Sequence, residues 1–369
     1  MPHGLRCASV LLGAVLLITL AACNPSSPSQ GGAAQQQGTT SMVGAGSTFI
    51  YPIMTRWVGD FQKAHSKVQI NYQSIGSGGG IQQLRQGVVD FGASDAALGD
   101  EELKTMPPII QIPESAGPVC ITYNLEKTTQ LKLSGPTLAA IFLGKIKNWR
   151  DPAIVKDNPG PDSRLPDEPI IVAHRSDGSG TTDIFTTYLA AVSPEWGQQV
   201  GKGISVKWPT GLGAKGSEGV TGIVKQTPGA IGYVEFSYAE QNKLPVAYIL
   251  NASGNWIQPN SASSTAAIAA FTDQLAKDVR TPVVNPPTSA PQAYPITGLT
   301  YLLVPKDGSD PNKREALKNF ISYIITQGQD LADALGYAKL PPMIQQLDQT
   351  LLSAMQANGK AIAATPASH

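Results

Sequence analysis

The sequence predicts an α/β protein built from two domains, and three observations carry that prediction. Segments with strand and helix periodicity alternate along the chain, as they do in α/β layers. Loops rich in glycine and hydroxyl side chains sit at several strand-to-helix junctions. At 369 residues the chain exceeds one ordinary domain and accommodates two. A hydrophobic fraction of 41% against 15% charged residues suits a folded protein with ample core.

The elements follow in order. Pro52 suits the first turn of a helix on which Ile53, Trp57 and Phe61 share one face. Val68-Gln69-Ile70-Asn71-Tyr72 alternates like a strand and runs into Gly76-Ser77-Gly78-Gly79-Gly80, then a short helix carrying Ile81, Leu84 and Arg85. Residues 88–93 read as the next strand, ending on Ser94 and Asp95. Residues 170–173 form a buried-type strand leading into Arg175-Ser176-Asp177-Gly178-Ser179-Gly180-Thr181, after which Ile184, Phe185 and Tyr188 mark a helix face. The polar, proline-rich residues 157–168 read as a surface excursion, and no internal repeat is visible.

The N-terminus reads as a targeting segment. Arg6 precedes an apolar run over residues 8–20, too short for a comfortable membrane span. The run ends on Leu20-Ala21-Ala22-Cys23, which resembles the bacterial lipobox, where cleavage before the cysteine leaves its thiol to carry lipid. Residues 1–22 are then a signal peptide and Cys23 a lipidated anchor. Residues 24–41 carry no charge and no large apolar side chain, so 23–41 reads as a flexible tether with a reach of roughly 25 Å. Residues 357–369 are low in complexity and read as a disordered tail. With Cys7 and Cys23 used in this way, Cys120 has no partner, which excludes a disulfide framework and a cysteine metal site. Its neighbours Val119 and Ile121 make it a small buried hydrophobe.

The formal net charge is +0, which argues against a nucleic-acid partner. Any anion must therefore be held by local groups. Three loops have the form for it: Gly44-Ala45-Gly46-Ser47-Thr48-Phe49, Gly76-Ser77-Gly78 and Gly178-Ser179-Gly180-Thr181. Each precedes a helix, where unpartnered N–H groups and the dipole favour negative charge, and glycine lets an oxyanion approach the backbone. One such loop alone reads as a glycine turn with a hydroxyl cap. Arg175 adds a planar fork that Asp177, two residues on, could orient. Asp95 would repel an anion unless the anion brings a proton. Phosphate at neutral pH does, and sulfate does not. The plainer alternative is that Asp95 caps a short turn ahead of Ala96-Ala97-Leu98.

These motifs, with Ile75-Gly76-Ser77-Gly78-Gly79-Gly80, Val89-Asp90-Phe91-Gly92-Ala93-Ser94-Asp95, Leu143-Gly144-Lys145-Ile146-Lys147-Asn148-Trp149, Lys207-Trp208-Pro209, Gly211-Leu212-Gly213 and Pro228-Gly229-Ala230-Ile231-Gly232-Tyr233-Val234-Glu235, resemble the phosphate-binding proteins of the bacterial high-affinity phosphate importer. The resemblance spans roughly residues 43–350 in order. It implies a type II periplasmic-binding-protein fold: two doubly wound domains joined by two crossing hinge strands near residues 117–123 and 293–304. The first domain would comprise 42–117 plus 295–356, and the second 118–294. By motif match, Ser47, Thr48 and Phe49 would supply backbone N–H groups, Thr48 and Ser77 hydroxyls as well, Asp95 would take the ligand proton, Arg175 would be the cation oriented by Asp177, and Ser179, Gly180 and Thr181 would complete the cage. Departures from the family pattern are Ser47, where alanine is also common, and Gly78, where a second serine is frequent. The implied partners are inorganic phosphate, a permease pair with its ATPase, and a membrane reached through lipid. No cofactor, metal or nucleic acid is implied, and the protein is expected to be a monomer, periplasmic or at the cell surface.

Other classes fit less well. The histidines are His3, His65, His174 and His369. Only His174, beside Arg175, offers a base for a secreted serine hydrolase, and it lacks an assigned acid partner. No cluster has metal-ligand spacing. Gly211-Leu212-Gly213-Ala214-Lys215-Gly216 fits the dinucleotide pattern but follows Pro209 rather than a clean strand, so it reads as a chance match. Among other tetrahedral oxyanions Asp95 disfavours sulfate and molybdate, and does not exclude arsenate.

Overall fold

A mixed eight-stranded sheet runs through the part of the chain that this computed structural model describes, residues 38–160 and 165–362. Its strands, in chain order, are β1 (Thr40–Gly46), β2 (Val68–Ser74), β3 (Phe91–Ser94), β4 (Ile109–Tyr123), β5 (Ile171–Arg175), β6 (Leu212–Ala214), β7 (Ala230–Glu235) and β8 (Thr297–Pro305). Their spatial order is β2-β1-β3-β8-β4-β7-β5-β6. In one half β1 is parallel to β2 and to β3; in the other β5 is parallel to β6 and to β7. The antiparallel strands β8 and β4 lie between them.

The two expected crossing segments are these central strands. The ladder of β4 with β8 runs from Ile109 to Pro118, and from Val119 to Tyr123 β4 pairs with β7 instead. One strand thus hands the sheet from the first half to the second. Nearly every residue of β4 is buried, as expected for a strand covered on both faces.

Six helices position the site or its supports: α1 (Tyr51–Ala64), α2 (Ser77–Arg85), α3 (Gly180–Val192), α4 (Gly216–Gln226), α5 (Phe236–Gln241) and α6 (Pro311–Ile325). The face expected on α1 is buried, with Phe61 packed at 5.2 Å against Phe320 of α6. Buried Trp57 donates its indole N–H to the Gly328 carbonyl at 2.8 Å. On α3, Ile184, Phe185 and Tyr188 are buried, and Phe185 stacks on Tyr233 of β7. Cys120 is buried opposite Val234 in the β4–β7 ladder. Among the described residues no helix is long and apolar enough to cross a membrane.

Several boundaries differ from expectation for local reasons. The strand expected over 88–93 begins only at Phe91, because the Asp90 carboxylate accepts the Val43 N–H at 2.8 Å and pairs with Lys313 at 3.0 Å. β5 extends to Arg175, making that cation the last residue of a strand. Thr40 and Ser41, placed in the tether by composition, pair with Val68 and Gln69. The chain does not fray from 357 either. Gln356–Ala357 pairs with Lys360–Ala361, and Arg314 and Lys318 of α6 donate to the Gln356 and Ile362 carbonyls at 3.0 and 2.8 Å. The signal peptide, Cys23, the tether up to residue 37, residues 161–164 and residues 363–369 lie outside the described residues.

Candidate functional site

In an open α/β sheet, ligands meet the turns that leave the C-terminal ends of parallel strands. Three such ends come from the first half. After β1 the chain turns through Ser47, Thr48 and Phe49 into α1, and all three are buried. After β2, Gly76 leads into α2, whose first residue is Ser77. After β3 comes Asp95, 5% exposed. The Ser47 hydroxyl donates to Asp95 Oδ1, and Ser77 Oγ accepts the Asp95 N–H at 3.3 Å.

The second half faces them. Arg175, 3% exposed, donates through Nε and Nη2 to the two oxygens of Asp177 at 2.8 and 2.6 Å. That bidentate pair fixes the guanidinium plane and leaves Nη1 to donate to Thr48 Oγ1 at 3.1 Å. Asp177 also accepts the Gly216 N–H at 3.0 Å. Ser179 caps α3, its hydroxyl accepting the Thr182 N–H at 3.1 Å. Gly180 donates its N–H to Ser77 Oγ at 3.1 Å, and Thr181 donates its hydroxyl to Asp95 Oδ2 at 3.2 Å.

The halves touch through backbone, which explains the glycines. The Gly78 N–H donates to the Gly178 carbonyl at 2.9 Å, and a Cβ on Gly78 would stand 3.0 Å from Gly178 Cα. A Cβ on Gly180 would stand 2.7 Å from the Asp95 backbone nitrogen. No side chain fits there without pushing the halves apart.

All the residues singled out from the sequence are thus brought together, with one role revised. The Ser47 N–H is already taken by the Ala93 carbonyl at 2.9 Å, and the Ser179 N–H by the Ile204 carbonyl at 2.8 Å. Ser47 is therefore not the backbone donor expected of it, and both serines offer hydroxyls. The N–H groups of Thr48 and Phe49 have no partner among the described residues. Asp95 is not a turn cap: residues 96–99 are not helical, and the next helix, Asp100–Leu103, starts from Gly99.

One residue escaped the sequence reading. Ser217, 1% exposed, places its hydroxyl 2.8 Å from Thr48 Oγ1 and 3.5 Å from Arg175 Nη1, and its N–H donates to Thr48 Oγ1 at 3.2 Å. It is the second residue of α4, immediately after the stretch that fits the dinucleotide pattern. That stretch holds β6 and opens a helix, so it is another glycine–serine turn of the same kind as Gly76-Ser77. The repetition of Gly-Ser at a helix start was the available signal.

Four helix N-termini therefore converge, each carrying roughly half a positive elementary charge. Burial pushes the Asp177 carboxyl up, but its bonds to Arg175 override this and hold it below the usual range. Asp95 goes the other way: burial raises it to about 6, against the opposing pull of Ser47, Arg175 and Thr181. The arrangement is a ring of donors with one fixed cation and one carboxylate acceptor. It suits a small oxyanion that carries a proton.

His174, the one base considered for hydrolysis, stacks on Trp208 at 4.8 Å and places Nδ1 3.0 Å from the Arg175 carbonyl oxygen. Among the described residues no serine hydroxyl is hydrogen-bonded to it, so the nucleophile–base pair of a serine hydrolase is not assembled.

Comparison with known proteins gives concordant results. Residues 31–327 match the model of the PBP superfamily domain. The chain is 42% identical over 346 residues to the phosphate-binding protein PstS of Xylella fastidiosa, covering 90% of this chain and 93% of that one. It is 44% identical over 308 residues to PstS of Pasteurella multocida, covering 83% and 88%. Among solved structures it superposes with a TM-score of 0.68 on a high-affinity periplasmic phosphate-binding protein, PfluDING, at 22% identity over 88% of this chain and 96% of that one. A phosphate-binding protein from Stenotrophomonas maltophilia gives 0.65 at 21% identity, with 84% and 93% covered. These two likenesses establish the type II periplasmic-binding fold.

Proposed function

This chain belongs to the PstS family of phosphate-binding proteins within the PBP superfamily, and from that premise we propose that it is the solute-binding component of a phosphate ABC importer. It captures inorganic phosphate between the two halves of the sheet and delivers it to a membrane permease driven by an ATPase. It is a carrier, not an enzyme.

The observation that carries this function is the placement of Asp95. A buried carboxylate facing a bound oxyanion is costly unless the ligand offers it a hydrogen. Phosphate brings a P–OH and keeps enough negative charge for Arg175 and the N–H groups. The Thr48 and Phe49 N–H groups, the hydroxyls of Ser47, Thr48, Ser77, Ser179 and Thr181, and the helix start at Gly180 would surround the remaining oxygens. Asp177 holds Arg175 in place.

The finer organisation follows from the same premise. Residues 42–117 with 295–356 and residues 118–294 act as two domains that close on phosphate through β4 and β8. The mature protein, lipidated on Cys23, is a tethered monomer working outside the cytoplasmic membrane. Titration calorimetry on the purified mature chain tests the assignment. Inorganic phosphate should bind tightly, with no heat from excess sulfate at pH 7.5. Equal binding of the two anions would sink it.

A further inference from the structure

The three consecutive carbonyls of the turn after β1 are each held by a tyrosine hydroxyl from a different part of the chain. Tyr72 on β2 donates to the Ser47 carbonyl at 2.8 Å. Tyr238 on α5 donates to the Thr48 carbonyl at 2.6 Å. Tyr337 donates to the Phe49 carbonyl at 2.6 Å, its ring lying edge-on to that of Phe49 at 6.0 Å. Their sequence separations from the turn are 25, 190 and 288 residues.

We propose that Tyr72, Tyr238 and Tyr337 are positioning residues for anion binding, which fix the peptide planes of the turn so that the Thr48 and Phe49 N–H groups face the ligand. The proposal rests on the phosphate-binding function above. In a trans peptide the C=O and the N–H lie in one plane and point in opposite directions. Holding the Ser47 carbonyl therefore aims the Thr48 N–H, and holding the Thr48 carbonyl aims the Phe49 N–H. Within this turn these two donors have no partner among the described residues. The Phe49 carbonyl belongs to the plane whose N–H, on Ile50, points 3.4 Å from Ser47 Oγ.

Two physical effects follow. Three carbonyl oxygens turned into the interior behind the ligand would be left without hydrogen bonds, and the phenols supply them. A carbonyl that accepts a hydrogen bond also polarises its own peptide, which strengthens the N–H on the far side as a donor. Burial pushes all three phenols above their ordinary range, so they keep the proton they donate. Tyr238 has a second consequence. It belongs to α5, which follows β7 in the second half, so the Thr48 carbonyl gains its holder only when the halves are together. Closing then completes the donor set as well as burying it.

Tyr72→Phe, Tyr238→Phe and Tyr337→Phe keep each ring and remove one hydroxyl. Each should raise the dissociation constant for inorganic phosphate about fivefold to tenfold in calorimetry. Amide spectra of 15N-labelled protein should show the phosphate-induced downfield proton shifts of Thr48 and Phe49 shrinking in the variants, which lost packing alone would not do. Tyr248→Phe is the control: its hydroxyl donates to Gln258 Oε1 at 3.3 Å on a strand of a separate three-stranded sheet, and its loss should leave both readouts unchanged. Wild-type affinity and amide shifts retained in all three variants would overturn the proposal, as would an equal loss in the control. If the wild type itself gives no phosphate heat, the transport assignment has failed instead.

Discussion

The two halves of the sheet bring the same backbone device to the site and opposite charges with it. β1 and β2 end in glycine–hydroxyl turns that open α1 and α2; β5 and β6 end in turns of the same kind that open α3 and α4. The first half adds Asp95, an acceptor, and the second adds Arg175 with Asp177, a fixed cation. On the proposed function, the shared device would supply affinity for any oxyanion. The asymmetry would supply selectivity, because on that reading charge attraction and proton sensing come from different sides and act together only when the halves meet.

Removing the cation should break the comparison most severely. Arg175→Ala takes its guanidinium from the site and leaves Asp177, 13% exposed, without its partner. Breaking a buried pair by deleting one member costs about 3–5 kcal/mol. Phosphate affinity should fall by hundreds-fold to thousands-fold in calorimetry. Arg175→Lys should recover only part of it, since an ammonium cannot keep both the Asp177 fork and the Thr48 contact. A near-normal dissociation constant for Arg175→Ala would mean that the helix N-termini alone carry the anion.

Removing the carboxylate should sharpen the comparison instead. Asp95→Asn keeps the shape, loses the charge and gains a donor. Phosphate binding should weaken about tenfold, in line with one charge-assisted hydrogen bond, while sulfate binding should appear. The same switch is available to the wild type through pH. With Asp95 raised to about 6, the acid is ionised above that value and protonated below it in the unliganded protein. Sulfate affinity of the wild type should therefore rise as pH falls through about 6, and that of Asp95→Asn should stay flat over the same range. A flat wild-type profile would assign the discrimination to some group other than Asp95.

What the sequence made legible was chemistry carried by neighbouring residues. Gly178-Ser179-Gly180-Thr181 announces a helix start, and Arg175 with Asp177 announces a fork and its holder, because each set is contiguous. Contacts between distant segments left no such trace. Nothing local to Tyr72, Tyr238 or Tyr337 indicates that they converge on one turn. The engagement of the Ser47 and Ser179 N–H groups depends on Ala93 and Ile204, which are remote from them in sequence. The late start of β3 has a similar origin: Val88 and Val89 have strand propensity, but the Asp90 side chain takes the Val43 N–H. Ser217 was legible in principle, and was hidden by a familiar glycine pattern that drew attention to its spacing instead of its last turn.

The smallest expected effect compares two serines in equivalent places, Ser77 at the start of α2 and Ser217 at the start of α4. Ser77 Oγ accepts two buried N–H groups, from Asp95 and Gly180, and so ties the halves through backbone. Its loss strands both donors. Ser217 Oγ sits beside the Thr48 hydroxyl, which keeps its bonds to Arg175 and to the Ser217 N–H when the serine hydroxyl is removed. Ser217→Ala should therefore cost about 1 kcal/mol, roughly fivefold in phosphate affinity, and Ser77→Ala distinctly more. Calorimetry on the two variants decides it. If Ser217→Ala is the costlier, then the second half holds the ligand through hydroxyls as well as charge, and the division of labour between the halves is less complete than their charges suggest.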